Sequence, residues 1–215
     1  MAAAERAASH RNLRPRLRSL SLARKIAPSD ILPVADYAGR RKELRQAVVA
    51  LKRVRRMEVG PVATLHFESF ETMRMQIQEM LHIEKGGAEQ LAGELAAYNP
   101  LVPDGHELVA TVLFEIDDPL RRANFLARLG GVEQTAFIEV GGEKVRGLPE
   151  ADQDRTSAEG KASSVQFIHF PFTAAQIARF KQPGERVIIG FDHPVYAHMS
   201  VMPEPVRQAL GGDFD

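Results

Sequence analysis

Residues 107–116 read Glu-Leu-Val-Ala-Thr-Val-Leu-Phe-Glu-Ile, and this run decides the fold. It is apolar over most of its length and contains β-branched and aromatic residues, which favour a pleated strand. A Pro-Asp-Gly turn at 103–105 precedes it, and a helical pattern closed by Gly130-Gly131 follows it. The run therefore predicts a long strand inside a sheet.

On both sides of this run, strand and helix patterns follow one another without a regular strand–helix–strand period. Strand patterns lie at 62–68, 133–140, 143–147, 164–171 and 186–191, and Gly141-Gly142 predicts a hairpin. Helical patterns run from Asp36 to the Gly60-Pro61 stop and over roughly 70–85, 88–97, 118–129, 173–181 and 203–210. We therefore expect an α+β fold: a mixed or mainly antiparallel sheet of about five to six strands with helices packed on it, led by a long basic N-terminal helix.

The long N-terminal helix has two unlike faces. Asp36 is its predicted N-cap. Apolar residues at helical spacing form one face: Tyr37, Leu44, Val48, Leu51 and Val54 or Val49. Arginines and lysines at 40–45 and 52–56 form the other face. The basic face is either solvated, docked on the acidic remainder of the chain, or a surface for an anionic partner.

The 28 Lys and Arg residues balance the 28 Asp and Glu residues in number but not in position. Residues 1–56 hold 15 basic and four acidic residues, whereas residues 57–215 hold 13 basic and 24 acidic ones. We expect a basic, poorly ordered arm over 1–28 and a single α+β domain over 29–215. No export segment and no membrane span of roughly 18 apolar residues is evident, so a cytoplasmic location is expected.

The absence of cysteine excludes several kinds of chemistry. Disulfides, thiolate nucleophiles and cysteine-held zinc or iron–sulfur clusters are all ruled out. No glycine-rich phosphate loop and no serine in a nucleophile elbow is present. A redox role would need a His/carboxylate metal site, an organic cofactor or the cluster of a partner.

Several short blocks together resemble the bacterial domain of unknown function family 3501. They are Arg55-Arg56, Val59-Gly60, Phe67-Glu68, Thr72, residues 76–80, Glu84, Tyr98-Asn99, Glu107-Leu108, Ala110-Thr111, Asp192-His193-Pro194 and Tyr196. The resemblance covers about 30–212 and leaves out the basic arm. It implies a soluble accessory or interaction protein, encoded beside rubrerythrin-like and iron–sulfur proteins, in redox or peroxide-stress metabolism.

Two pairs of side chains are candidate metal ligands. Glu79 and His82 share one face of a predicted helix at the i,i+3 spacing that can reach one metal ion. His66 and Glu68 lie two apart on a predicted strand and therefore point to the same side. Together the four residues form a candidate site for a divalent metal or iron. The alternative is that they are solvated or hydrogen-bonded surface groups.

A second cluster lies at Asp192-His193-Pro194 and Tyr196, directly after a predicted strand. Pro194 holds His193 in an extended conformation. The candidate catalytic residues are His193 as a general acid–base, Asp192 as its partner, and Tyr196. The alternative is an ordinary turn in which Tyr196 packs inward.

A polar set around the central helix also has two interpretations. Glu68, Gln76, Glu79 and Glu84 belong to it. If Arg55 or Arg56 folds back on this set, the residues form a salt-bridge network that fixes the fold; otherwise they are candidates for catalysis.

Three functions remain open after these observations. The first is the accessory or interaction protein, with a rubrerythrin-like or iron–sulfur partner, and the second is a metal- or small-ligand-binding enzyme. The third is a basic-arm protein that binds nucleic acid or another anionic surface. Sparse aromatic residues and the lack of a nucleic-acid-binding motif disfavour nucleic acid.

Overall fold

The computed structural model describes residues 25–150, 156–157 and 160–214. Nearly all of the predicted arm at 1–28 lies outside these residues. In the described part of the chain, nine strands form two antiparallel sheets, and six α-helices pack around them. The predicted α+β class is confirmed. The strands divide between a sheet of five and a sheet of four, instead of the expected one sheet of five to six strands, because pairings between strands distant in sequence build both sheets.

The run at 107–116 lies at the centre of the five-stranded sheet. The strands are β1 (Arg56–Val59), β2 (Ala63–Phe67), β3 (Glu107–Phe114), β4 (Ala136–Val140), β5 (Glu143–Arg146), β6 (Leu148–Pro149), β7 (Val165–Pro171), β8 (Val187–His193) and β9 (Tyr196–Val201). The first sheet has the order β1-β2-β3-β7-β6, and the second has the order β5-β4-β8-β9. The predicted hairpin at Gly141-Gly142 joins β4 to β5.

Six helices surround the sheets. They are α1 (Val34–Lys52), α2 (Phe70–Glu84), α3 (Gly87–Tyr98), α4 (Pro119–Leu126), α5 (Ala174–Phe180) and α6 (Glu204–Gly211). Ser69 caps α2, since its hydroxyl accepts the backbone N–H of Thr72. Within the described ranges, every helix is too short or too polar to cross a membrane.

The first helix departs from its predicted bounds at both ends. Its N-cap is Pro33, and Asp36 lies inside the first turn. The helix ends at Lys52, and Gly60 ends the strand that follows rather than the helix. The reason is the alternation in β1, where Met57 and Val59 are buried and pair with β2. Tyr37 is buried as predicted, whereas Val49 is exposed.

The two faces of the first sheet have different partners. Leu65, Ala110 and Ile168 point into a core that is shared with the second sheet. Val109 and Phe167 point the other way, towards α2 and α3. The opposite face of the sheet is therefore covered by helices, and the candidate site lies between these two layers.

Candidate functional site

A cavity of about 340 Å³ lies between the first sheet and helices α2 and α3. Its polar lining residues come from the end of α1, the sheet, α2 and α3: Lys52, His66, Glu68, Gln76, Tyr98 and Thr111. Apolar side chains complete the wall. The volume lies at the lower end of the range found for small-molecule sites.

Strand register places three of the lining residues in a row. His66 on β2 pairs with Thr111 on β3, and Thr111 pairs in turn with Phe167 on β7. Residues directly opposite one another in antiparallel strands carry their side chains on the same face. The row therefore crosses the sheet on its helix-covered face, beneath the cavity.

Glu68 lies just beyond the end of β2 and is only 4% exposed. Its backbone N–H donates to the carbonyl of Val109 at 2.8 Å, which continues the sheet by one residue. The carboxylate accepts the hydroxyl of Thr72 at 2.6 Å and the hydroxyl of Thr111 at 2.7 Å. One acidic side chain thus links the first turn of α2 to β3.

Arg55 fixes the backbone that carries Glu68. Its guanidinium donates to the carbonyl oxygens of Phe67, at 3.0 Å, and of Glu68, at 2.7 Å. It also forms a two-pronged ion pair with Asp213 in the C-terminal 3-10 turn. Arg55 does fold back on the polar set that includes Glu68, but it binds the backbone carbonyl of Glu68. The carboxylate of Glu68 is bound by Thr72 and Thr111 instead. Arg56 forms a surface pair with Glu58 instead.

The His66 imidazole is half-buried in the cavity wall. Burial lowers its pKa below the usual value, and the positive charge of Lys52 lowers it further, against a smaller opposing effect of Glu68. The ring is therefore mainly neutral at pH 7, with one nitrogen that donates and one that accepts. No described residue forms a hydrogen bond with it.

The four candidate metal ligands divide between two places. His66 and Glu68 line the cavity, as their shared face predicted. Glu79 turns towards α1, where it accepts hydrogen bonds from Tyr37 and from Arg41. The hydrogen bond from Arg41 lowers the pKa of Glu79 to about 2. The ring of His82 packs edge-on against Tyr37, with the centroids 5.7 Å apart.

This division bears on the predicted metal. Within residues 25–150, 156–157 and 160–214, no group of three or more His, Asp or Glu side chains is arranged to hold a metal ion. Glu79 is instead the carboxylate that joins α2 to the basic helix α1. A divalent metal or iron at the four residues stays a prediction.

The candidates near the end of β8 point in different directions. The carboxylate of Asp192 accepts hydrogen bonds from Lys144 and Arg146. Burial raises the pKa of Asp192, but these hydrogen bonds outweigh it, so the pKa lies below its usual value. His193 accepts the N–H of Val195 through Nδ1, so its proton is on Nε2, which donates to the carbonyl of Gly130. Asp192 is therefore bound to cations on the opposite side of the strand from His193.

Tyr196 is buried and bridges β9 to the β1–β2 hairpin. Its hydroxyl donates to the carbonyl of Val59 at 2.7 Å and accepts the N–H of Ala63 at 3.0 Å and of Val62 at 3.3 Å. Every hydrogen-bonding position of the phenol oxygen is thus used by backbone. The arrangement matches the inward-packed alternative given for this residue.

Sequence patterns missed a second charged arrangement on the same sheet face. Nδ1 of His169 lies 2.8 Å from Glu107, and Nε2 lies 2.9 Å from Glu150. The hydrogen bond to Glu107, supported by that to Glu150, raises the pKa of His169 despite its burial. The three residues are far apart in the chain, so only strand pairing brings them together.

Two solved chains match this fold. One is the crystal structure of a novel protein of unknown function from Burkholderia pseudomallei K96243, which is 36% identical, with a TM-score of 0.83. The match covers 89% of this chain and 100% of that one. No curated protein matches. Residues 25–214 match the family described as "Protein of unknown function (DUF3501)". The resemblance noted in the sequence is therefore confirmed, and the chain belongs to the DUF3501 family.

Proposed function

We propose that this protein binds a small polar molecule in the cavity between the first sheet and helices α2 and α3. The observation that supports the proposal is the convergence of His66, Glu68 and Thr111 on one cavity of about 340 Å³. Ligand sites characteristically combine an apolar wall with a few convergent polar groups. This cavity has that composition.

The polar groups in the cavity wall differ in whether other protein groups form hydrogen bonds with them. The carboxylate of Glu68 is held by two hydroxyls, which fixes its direction. The imidazole of His66 and the ammonium of Lys52 have no hydrogen-bond partner among the described residues. A bound molecule would supply the missing partners. His66 can also accept a proton from such a molecule, since its imidazole is mainly neutral at pH 7.

A thermal-shift screen of the full chain against small polar metabolites tests the proposal. Molecules that bind the native state raise Tm. We expect hits whose affinity falls about tenfold in His66→Leu, because one hydrogen bond to the ligand is lost. His106→Leu is the matched control, since His106 is exposed and outside the cavity. A screen without hits, or hits that bind His66→Leu as tightly as wild type, would reject the proposal.

The outer side of α1 supports a second candidate function, the docking of an acidic partner protein. Tyr37 is the one fully buried residue of α1, whereas Lys42 on the helix and Arg53, its C-cap, are exposed. Both line an open groove along the helix. The family resemblance suggests rubrerythrin-like or iron–sulfur proteins as the partners to examine.

Pull-down of the proteins encoded beside this gene, at low and moderate salt, tests this second candidate. We expect retention that weakens with salt and is lost in Lys42→Glu/Arg53→Glu, because exposed charges act over a screened range. Arg128→Glu, at an exposed residue in the turn after α4, should leave retention unchanged. Equal retention by both charge variants would count against docking through α1.

A further inference from the structure

The buried carboxylate of Glu68 supports an inference about the kind of ligand that the cavity binds. This inference rests on the proposed function. Glu68 is 96% buried within a cavity wall. Its carboxylate is hydrogen-bonded only to the hydroxyls of Thr72 and Thr111 among the described residues. Arg55 is engaged with Asp213 and with backbone oxygens. The carboxylate thus lines the cavity without a cation bound to it.

Such an arrangement is costly unless a positive group joins it. Buried carboxylates are normally paired with a cation or with several donors. Each oxygen of Glu68 accepts one hydroxyl, and a carboxylate offers about four accepting positions in all. Each oxygen of Glu68 can therefore accept at least one further hydrogen bond from an N–H donor. An ammonium group, with three donors and a positive charge, complements this site.

The other residues of the cavity wall indicate what the ligand carries besides the ammonium group. Met73, Leu113, Val165 and Phe167 provide apolar surface. Lys52 adds a positive charge to the same cavity, so the ligand needs a group that accepts hydrogen bonds at that side. We infer that the cavity binds a small primary amine with an apolar body, and that an amine also carrying a carboxylate binds best.

Four probes that share an isobutyl group separate these contributions: leucine, isoamylamine, isovalerate and isoamyl alcohol. Isothermal titration of the full chain should give the tightest binding for leucine, then isoamylamine. Isovalerate and isoamyl alcohol should bind at least tenfold more weakly than isoamylamine. The amine carries a positive charge that balances the carboxylate of Glu68, and hydrogen bonds between charged groups are the stronger kind.

Two variants locate the effect. Glu68→Gln keeps the side-chain size and should weaken both amines at least tenfold while leaving the alcohol unchanged; Glu58→Gln, which is exposed and outside this cavity, is the control. Lys52→Met should weaken leucine yet strengthen isoamylamine, because a like charge is removed. Because Lys52 lies at the end of α1, Lys52→Met provides an independent test of amine binding if Glu68→Gln folds poorly.

The outcomes also separate this inference from the proposed function. If isovalerate or isoamyl alcohol binds as tightly as isoamylamine, the cavity is a ligand site but the assignment of an amine is wrong. If neither amine binds, the assignment is wrong as well, and the proposed function then depends on the metabolite screen alone. Amine binding that is unaffected by Glu68→Gln likewise overturns the inference.

Discussion

Asp213→Ala is expected to lower the free energy of unfolding by about 3–5 kcal/mol, the cost of removing one partner from a buried ion pair. The guanidinium of Arg55 is only 4% exposed and would keep its charge without the carboxylate that balances it. Urea unfolding at pH 7 measures the change. The loss is large because the group that remains cannot move into water without disrupting the end of β2.

Glu58→Ala provides the surface counterpart of this experiment. It removes the partner of Arg56, the neighbour of Arg55, and both side chains of that pair are exposed. Exposed pairs contribute at most about 1 kcal/mol, so a small effect is expected. The double variant Arg55→Met/Asp213→Leu should recover part of the loss, since no charge is left buried. Recovery is incomplete because the carbonyls of Phe67 and Glu68 lose the guanidinium that binds them. Equal losses for Asp213→Ala and Glu58→Ala would contradict the buried-pair account.

Tyr196→Phe is expected to lower the free energy of unfolding by about 2–3 kcal/mol, because it leaves buried backbone groups without a partner. The lost hydroxyl bonds Val59, Val62 and Ala63 at once. The same hairpin contains Gly60 at φ 69°, where an added Cβ would lie 2.6 Å from the ring of His198. The hairpin thus closes tightly over the phenol.

Tyr98→Phe is the matched control for this second prediction. The hydroxyl of Tyr98 has one long hydrogen bond, at 3.5 Å from the amide of Gln76, so its removal should cost less than about 1 kcal/mol. Both variants are compared with wild type by urea unfolding under identical conditions. A Tyr196→Phe protein as stable as the Tyr98→Phe protein would show that the hairpin does not depend on the phenol.

Much of the fold was predictable where local pattern and tertiary environment agree. The run at 107–116 forms β3, and the helix predicted over 70–85 is α2, Phe70–Glu84. The short strand β1 was missed because it directly follows a basic helix and has only two buried residues. Strand β9 was missed because its outer face is exposed, and Met199 there is 64% accessible. Which strands share a sheet is not encoded locally.

The candidate site was half predictable for a similar reason. His66 and Glu68 share a side, as the two-residue repeat of a strand requires. Thr111 joins them through register, which a single sequence does not specify. Glu79 lies apart from them, because its carboxylate accepts hydrogen bonds from Tyr37 and Arg41 of α1. It therefore faces α1 and pairs with Arg41.

Backbone amide chemical shifts, recorded while leucine is titrated into the full chain, test the central claim most directly. The claim is that the cavity between the first sheet and helices α2 and α3 is a ligand site. We expect saturable shifts concentrated at His66, Glu68, Thr111 and Phe167, with none on the outer side of α1. Shifts confined to residues outside the cavity, or no saturable shifts with leucine or with any hit from the metabolite screen, would contradict the account.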